Sequence, residues 1–184
     1  MTEKSVQLIG DAGQGAAVAI LRAGNTPSKA AEVLAKDFRV LSYMVSGKTS
    51  AAVDELAALL GAKVNEIAVV ADAASAATAM ALAVAHADLV KTVALVSPVA
   101  VDIGDLSGLK TPVLALFGAA ESTRAPGAPR SFCRAIPNCQ LLYVYDASGA
   151  LDDARPEAVA AALHDFVVRR EKFIVNARHN RLYP

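Results

Sequence analysis

Residues Ile67–Leu95 read IAVVADAASAATAMALAVAHADLVKTVAL. The stretch opens with an apolar run, Ile67–Val70, and turns through Ala71-Asp72-Ala73-Ala74-Ser75. It continues as an alanine-rich segment of helical length and ends in a second apolar run from Thr92. Two short apolar runs separated by a helical length mark strand, helix, strand. Such a βαβ unit implies a parallel sheet, because the chain must cross back over the sheet before it pairs again.

The pattern extends in both directions. Upstream, Ser5–Ile9 is a short β-type run that breaks at Gly10-Asp11-Ala12-Gly13-Gln14-Gly15. Pro27 and Ser28 open a helix with Thr26 as its expected N-cap. Arg39–Met44 reads as a strand, Ser50–Gly61 as a helix stopped by its glycine, and Glu66–Val70 as the strand before the helix Ala73–Ala87. Downstream, Thr92–Val96, Pro112–Phe117 and Gln140–Tyr145 read as strands, with a short helix near Arg130–Ala135. A last helix starts at Arg155-Pro156-Glu157 and runs to about Arg170. The expected fold is α/β: a doubly wound, mainly parallel six-stranded sheet in one domain, residues 1–170, followed by a tail, residues 171–184.

Composition narrows the function classes. The 184 residues suffice for one domain with a proper core. Eighteen basic and eighteen acidic side chains cancel, so no global field draws the chain to nucleic acid or an anionic membrane surface. Aromatic residues make up only 5%, with no Trp, which removes the stacking platforms of single-strand binders. The start, MTEKS, is polar, and no apolar run reaches the roughly 18 residues of a membrane span. A cytoplasmic location follows as the expectation, with Cys133 and Cys139 as reduced thiols. Two cysteines with no histidine nearby make at most half a metal site, so no metal or other cofactor is expected. Ser46-Gly47-Lys48-Thr49-Ser50 contains a GKT sequence between a strand and a helix. The phosphate-binding loop it suggests needs a glycine where Ser42 stands, and Tyr43 and Met44 are too bulky to wrap phosphates.

The central stretch resembles the nucleophile elbow of the α/β-hydrolase superfamily, where G-x-S-x-G lies between strand and helix. Val90 falls at the family's interval only if Ala73 takes the serine's place, which puts Ala71 and Ser75 at the glycine positions. Other segments resemble the family in place but not in type. Ile9-Gly10 corresponds to the His-Gly pair before the oxyanion loop, Glu121 to the acid beyond Gly118, and Gly149 to the histidine ahead of the final helix. The resemblance implies a site at the carboxyl ends of the strands and the order 4-3-5-6-7-8 in the family's numbering, with both N-terminal antiparallel strands missing. It also implies that Val99–Lys110 is too short to hold the usual cap domain.

Two readings of function follow. In the first, the chain is a non-catalytic binding or interaction module, because the nucleophile and the general base are both replaced. An open cleft would then be lined by Gly10, Asp11, Asp72, Ala73, Ala74, Glu121 and Gly149 and would take a small ligand. The alternative is an active serine hydrolase of small molecules that uses Ser75 with Glu121. The tail carries Phe173-Ile174-Val175 and Leu182-Tyr183 beside Arg169, Arg170, Lys172, Arg178 and Arg181. It either packs back on the sheet or forms a homo-oligomer or protein-partner contact.

Overall fold

A computed structural model describes residues 4–99, 106, 108–121, 125 and 127–173. Seven strands form one sheet: β1 Val6–Ala12, β2 Ala17–Arg22, β3 Arg39–Val45, β4 Ile67–Ala71, β5 Val90–Val96, β6 Val113–Gly118 and β7 Cys139–Val144. Their order is β1-β3-β2-β4-β5-β6-β7. Every pairing is parallel except β1 with β3. The helices are α1 Lys29–Leu34, α2 Thr49–Gly61, α3 Ala76–Ala85, α4 Ala128–Arg134, α5 Leu151–Ala154 and α6 Pro156–Arg169.

The βαβ reading of Ile67–Leu95 is borne out as β4, α3 and β5. The doubly wound α/β sheet is likewise present, with one strand more than expected. That strand is β2, Ala-Val-Ala-Ile-Leu-Arg, which pairs with β3 on one side and β4 on the other. A central parallel strand is covered on both faces, so it is an unbroken apolar run with no alternation to announce it. The antiparallel strand β1 is present too, where both such strands were expected to be missing. It lies at the edge, and its register slips between Leu8 and Gly10, an irregularity that blunts an open edge against further pairing.

The sheet divides the core in two, and side-chain alternation assigns the halves. Ala19 and Leu21 of β2, Val69 and Ala71 of β4, and Val93 and Leu95 of β5 face α2 and α3. Val18, Ile20, Ala68, Val70 and Ala94 face α1 and α6. The small buried residues Ala76, Ala79 and Ala83 give α3 a flat contact face against the centre of the sheet. Ser28 caps α1, its Oγ accepting from the Ala31 N–H at 3.0 Å, so the helix starts two residues later than Pro27 suggests. At Gly13, where φ is +78°, an added Cβ would lie 2.1 Å from the Phe38 carbonyl oxygen, so the β1–β2 turn requires glycine.

The expectation for the cysteines is corrected. Cys133 and Cys139 are not free thiols: a disulfide joins the last turn of α4 to the first residue of β7. Of the two readings of the tail, Phe173 follows the one in which it packs back: it is only 5% exposed and stacks edge-on against Phe166 with ring centroids 5.3 Å apart. It therefore closes the core beneath α6. Ile174, Val175, Leu182 and Tyr183 lie outside the described residues. No helix among the described residues is long and apolar enough to cross a membrane.

Phe173→Ala should lower unfolding stability by about 3 kcal/mol in urea denaturation, as for a buried phenylalanine. A loss below about 0.5 kcal/mol, typical of exposed positions, would place the ring outside the core.

Candidate functional site

In a doubly wound sheet the strand interiors are filled, and side chains free for chemistry collect where the carboxyl ends open into loops. At the end of β4 the chain enters α3 through a turn in which the Ser75 N–H donates to the Asp72 carbonyl oxygen at 3.2 Å. The Asp72 carboxylate reinforces this turn. Its Oδ1 accepts the Ser75 N–H at 2.8 Å, and its Oδ2 accepts the Ala23 N–H, in the loop after β2, at 3.1 Å. Asp72 thus fastens the turn that leads into α3 and ties it to the neighbouring strand.

This turn lacks the strain that a nucleophile elbow stores. The described non-glycine residues with positive φ are Ser97, Asn138, Asp146 and Arg170, and none belongs to Ala71–Ser75. Ser75 has a negative φ, −94°, with ψ 0°, as at the close of a turn and not in the left-handed region. Its side chain is buried, and its Oγ has no hydrogen-bond partner among the described residues.

Two strands away, the loops after β6 and β7 are laced together. The Ala119 N–H donates to the Val144 oxygen and the Ala120 N–H to the Ala147 oxygen, both at 2.9 Å. A Cβ on Gly118 would lie 2.3 Å from the Ala147 oxygen, so only glycine lets the loops approach this closely. The lacing brings together the two positions matched to acid and base. A Cβ on Gly149 would lie 3.2 Å from Glu121 Oε1, so the carboxylate faces the place where an imidazole would project.

The described histidines lie elsewhere. His86 closes α3 and accepts the Val90 N–H, which places it at the amino ends of the strands. His164 stands on α6 against the Phe38 ring, its Nε2 3.9 Å from Asp37, again near the amino end of β3. His179 lies outside the described residues.

The structure places Asp72, Ala73, Ala74, Glu121 and Gly149 at the carboxyl ends, as expected of the cleft. It moves Gly10 and Asp11 away from them. β1 runs antiparallel, so it heads away from the cleft: Gly10 pairs with Ser42 in mid-strand and Asp11 with Leu41 near the start of β3. Asp11 there binds the Arg39 guanidinium through two hydrogen bonds of 3.0 and 2.8 Å, with Lys63 at 3.6 Å. The loop that faces the α3 turn is instead Ala23-Gly24, after β2. Recognising Ala17–Arg22 as a strand would have pointed to it.

Near this end, Arg22 pairs with Asp152 at 2.8 Å, and Asp152 also accepts from the Ser28 hydroxyl and the Ala30 N–H. These contacts tie α5 to β2 and α1 and line a small pocket beside Asp72. Residues 97–112 separate β5 from β6, of which 100–105 and 107 lie outside the described residues, as do 122–124 and 126 beyond Glu121. No group of His, Cys, Asp and Glu side chains suited to a metal ion occurs among the described residues.

Solved structures share this arrangement of strands and helices. MGS-MChE2, an alpha/beta hydrolase from a metagenome of lagoon sediments of Mar Chica, Morocco, aligns with a TM-score of 0.74 and 14% identity over 92% of this chain and 98% of its own. A thermophilic esterase from Thermogutta terrifontis aligns with a TM-score of 0.74 and 15% identity, covering 89% and 93%. The chain has the α/β-hydrolase fold. A predicted CIB-like hydrolase from Thermoplasma acidophilum is similar as well, with a TM-score of 0.69 and 15% identity over 83% and 86%. No protein-family model and no curated protein sequence matches the chain.

In this hydrolase fold, Asp72→Ala should cost about 1–3 kcal/mol of unfolding stability, the usual loss when hydrogen bonds to a charged group are removed, and Asp72→Asn less. Equal stability of all three proteins in urea would show that the carboxylate fastens nothing. The Arg39 hydrogen bonds hold the Asp11 carboxyl below its ordinary value of 3.8. A lowered carboxylate contributes stability above its ordinary value and loses it as pH falls through the folded value. The urea midpoint should therefore decline in acid below about pH 4, and Asp11→Asn should flatten that decline.

Proposed function

We propose that this hydrolase-fold protein binds a small neutral or cationic ligand in its open cleft and does not catalyse acyl transfer. The observation that carries this reading is the placement of the Asp72 carboxylate. A hydrolase of this fold stabilises its oxyanion with the N–H after the nucleophile and an N–H from the loop that follows the preceding strand. Here the Ala23 N–H of that loop is already given to Asp72. A carboxylate on that donor repels a second negative charge developing beside it. Ala73 supplies no oxygen for attack, and Glu121 faces glycine rather than an imidazole. A cleft that carries Asp72 and Glu121 favours ligands that bring a positive or neutral group.

The hydrolase reading is supported by the comparisons, since each structural relative described above is named a hydrolase or an esterase. Within this chain it is supported by the buried, unpartnered Ser75 Oγ. In that reading Ser75 is the nucleophile and Glu121 the acid.

One experiment separates the two. Purified protein should not turn over p-nitrophenyl acetate above the rate of its Ser75→Ala variant, and a fluorophosphonate probe should leave it unlabelled. Stoichiometric labelling that disappears in Ser75→Ala would establish the hydrolase and discard the binding module.

A further inference from the structure

A cleft of about 510 Å³ opens at the amino ends of β2, β3, β4 and β5, the opposite end of the sheet from Asp72 and Glu121. Its volume lies within the range of small-molecule sites, roughly 300–1,000 Å³. Its walls are charged: Arg39, Lys63, Lys91 and Arg170 line it, against the single lining carboxylate of Glu66.

The charges around it do not cancel. Asp11, just outside, is shared by Arg39 and Lys63, and Glu66 is held by Arg170. Lys91, on β5, has no carboxylate in ion-pair contact among the described residues. Two carboxylates thus face four cations. Arg39 and Arg170 are held by their partners, Lys63 shares Asp11 at 3.6 Å, and Lys91 lies near enough to Glu66 to help hold its carboxyl below the ordinary value, so the positive excess is shared by the whole wall and the lysines are its least tightly held members.

A second feature falls at the same place. Arg170 lies at the end of α6 with φ 51° and ψ −121°, a conformation that side chains with a Cβ avoid. Strained residues persist where the surroundings hold them, and they gather at binding sites. Here the unusual turn brings the Arg170 guanidinium onto Glu66 at the cleft wall. With Glu66 neutralised by Arg170, the carboxylate inside the cleft does not oppose an entering anion.

We propose that this cleft is an anion-binding site that takes a phosphate monoester between Lys63 and Lys91. A compact, strongly hydrated ammonium suits phosphate as a point charge, whereas planar carboxylates match the arginine forks already in use. Asn65 at the rim adds an amide that can both donate and accept. The site is independent of whatever binds at the carboxyl ends.

The test is a titration of the full chain with phenyl phosphate at constant ionic strength set by sodium chloride, followed by amide NMR. Saturable shifts are expected at Asn65, Lys91 and Thr92, with half-saturation near or below about 1 mM. Lys91→Ala should weaken binding about tenfold by removing one charged hydrogen-bond donor, and Lys91→Arg should restore most of it. Lys63→Gln serves as the second variant if Lys91→Ala does not fold. Shifts that follow chloride equally, fail to saturate or ignore both lysine variants would overturn the site. Tighter binding of succinate than of phenyl phosphate would overturn the assignment of ligand class.

Discussion

A strand buried on both faces leaves no side chain free along its length. That constraint governs this molecule. β4, β5 and β6 are almost wholly buried, with α2 and α3 on one side and α1 and α6 on the other. Anything that binds or reacts must sit where strands become loops. Six of the strands run parallel, so the two ends of the sheet differ in chemistry. The carboxyl ends hold carboxylates on hydrogen-bonded turns. The amino ends hold lysines and arginines drawn from strand starts and the ends of helices.

Legibility in the sequence followed burial and locality. β4, α3 and β5 stood out because a short apolar run, an alanine-rich helix and a second run follow one another with a turn signal between. β2 was opaque for the opposite reason: a fully covered strand of six residues shows no period, and the glycines before it resemble a loop leading to the helix at Ser28. That omission also displaced the oxyanion-loop match onto Ile9-Gly10, and with it Gly10 and Asp11 into the cleft. The direction of β1 depends on its pairing with β3, whose partner residues lie 28 to 39 positions further on, which no local pattern carries. Within the site, Glu121 and Gly149 were matched to acid and base only through the family resemblance, and their approach depends on two loops brought together across strands. The role of Asp72 was not legible either, because it needs the Ala23 N–H brought in from another strand.

Relatives at 10–15% identity preserve the path of the chain and little of its chemistry. The loops after β6 and β7 illustrate the difference. Their lacing and the close approach at Gly118 hold the acid loop against the base loop whether or not an imidazole is present. Backbone hydrogen bonds of this kind maintain the shape of a site independently of its reactivity. Function therefore rests on individual side chains and not on the fold that carries them.

The burial of Phe173 has a practical corollary. Phe173 lines one small cleft with Lys110, Pro112, Asn138 and Gln140, at the starts of β6 and β7, so the described chain finishes beside the amino ends of these strands. A label or surface linkage placed on the exposed side chain of Lys172 would sit at the face opposite Asp72 and Glu121. Coupled in that way, the protein would turn the carboxyl ends of its strands outward to solvent, away from the support.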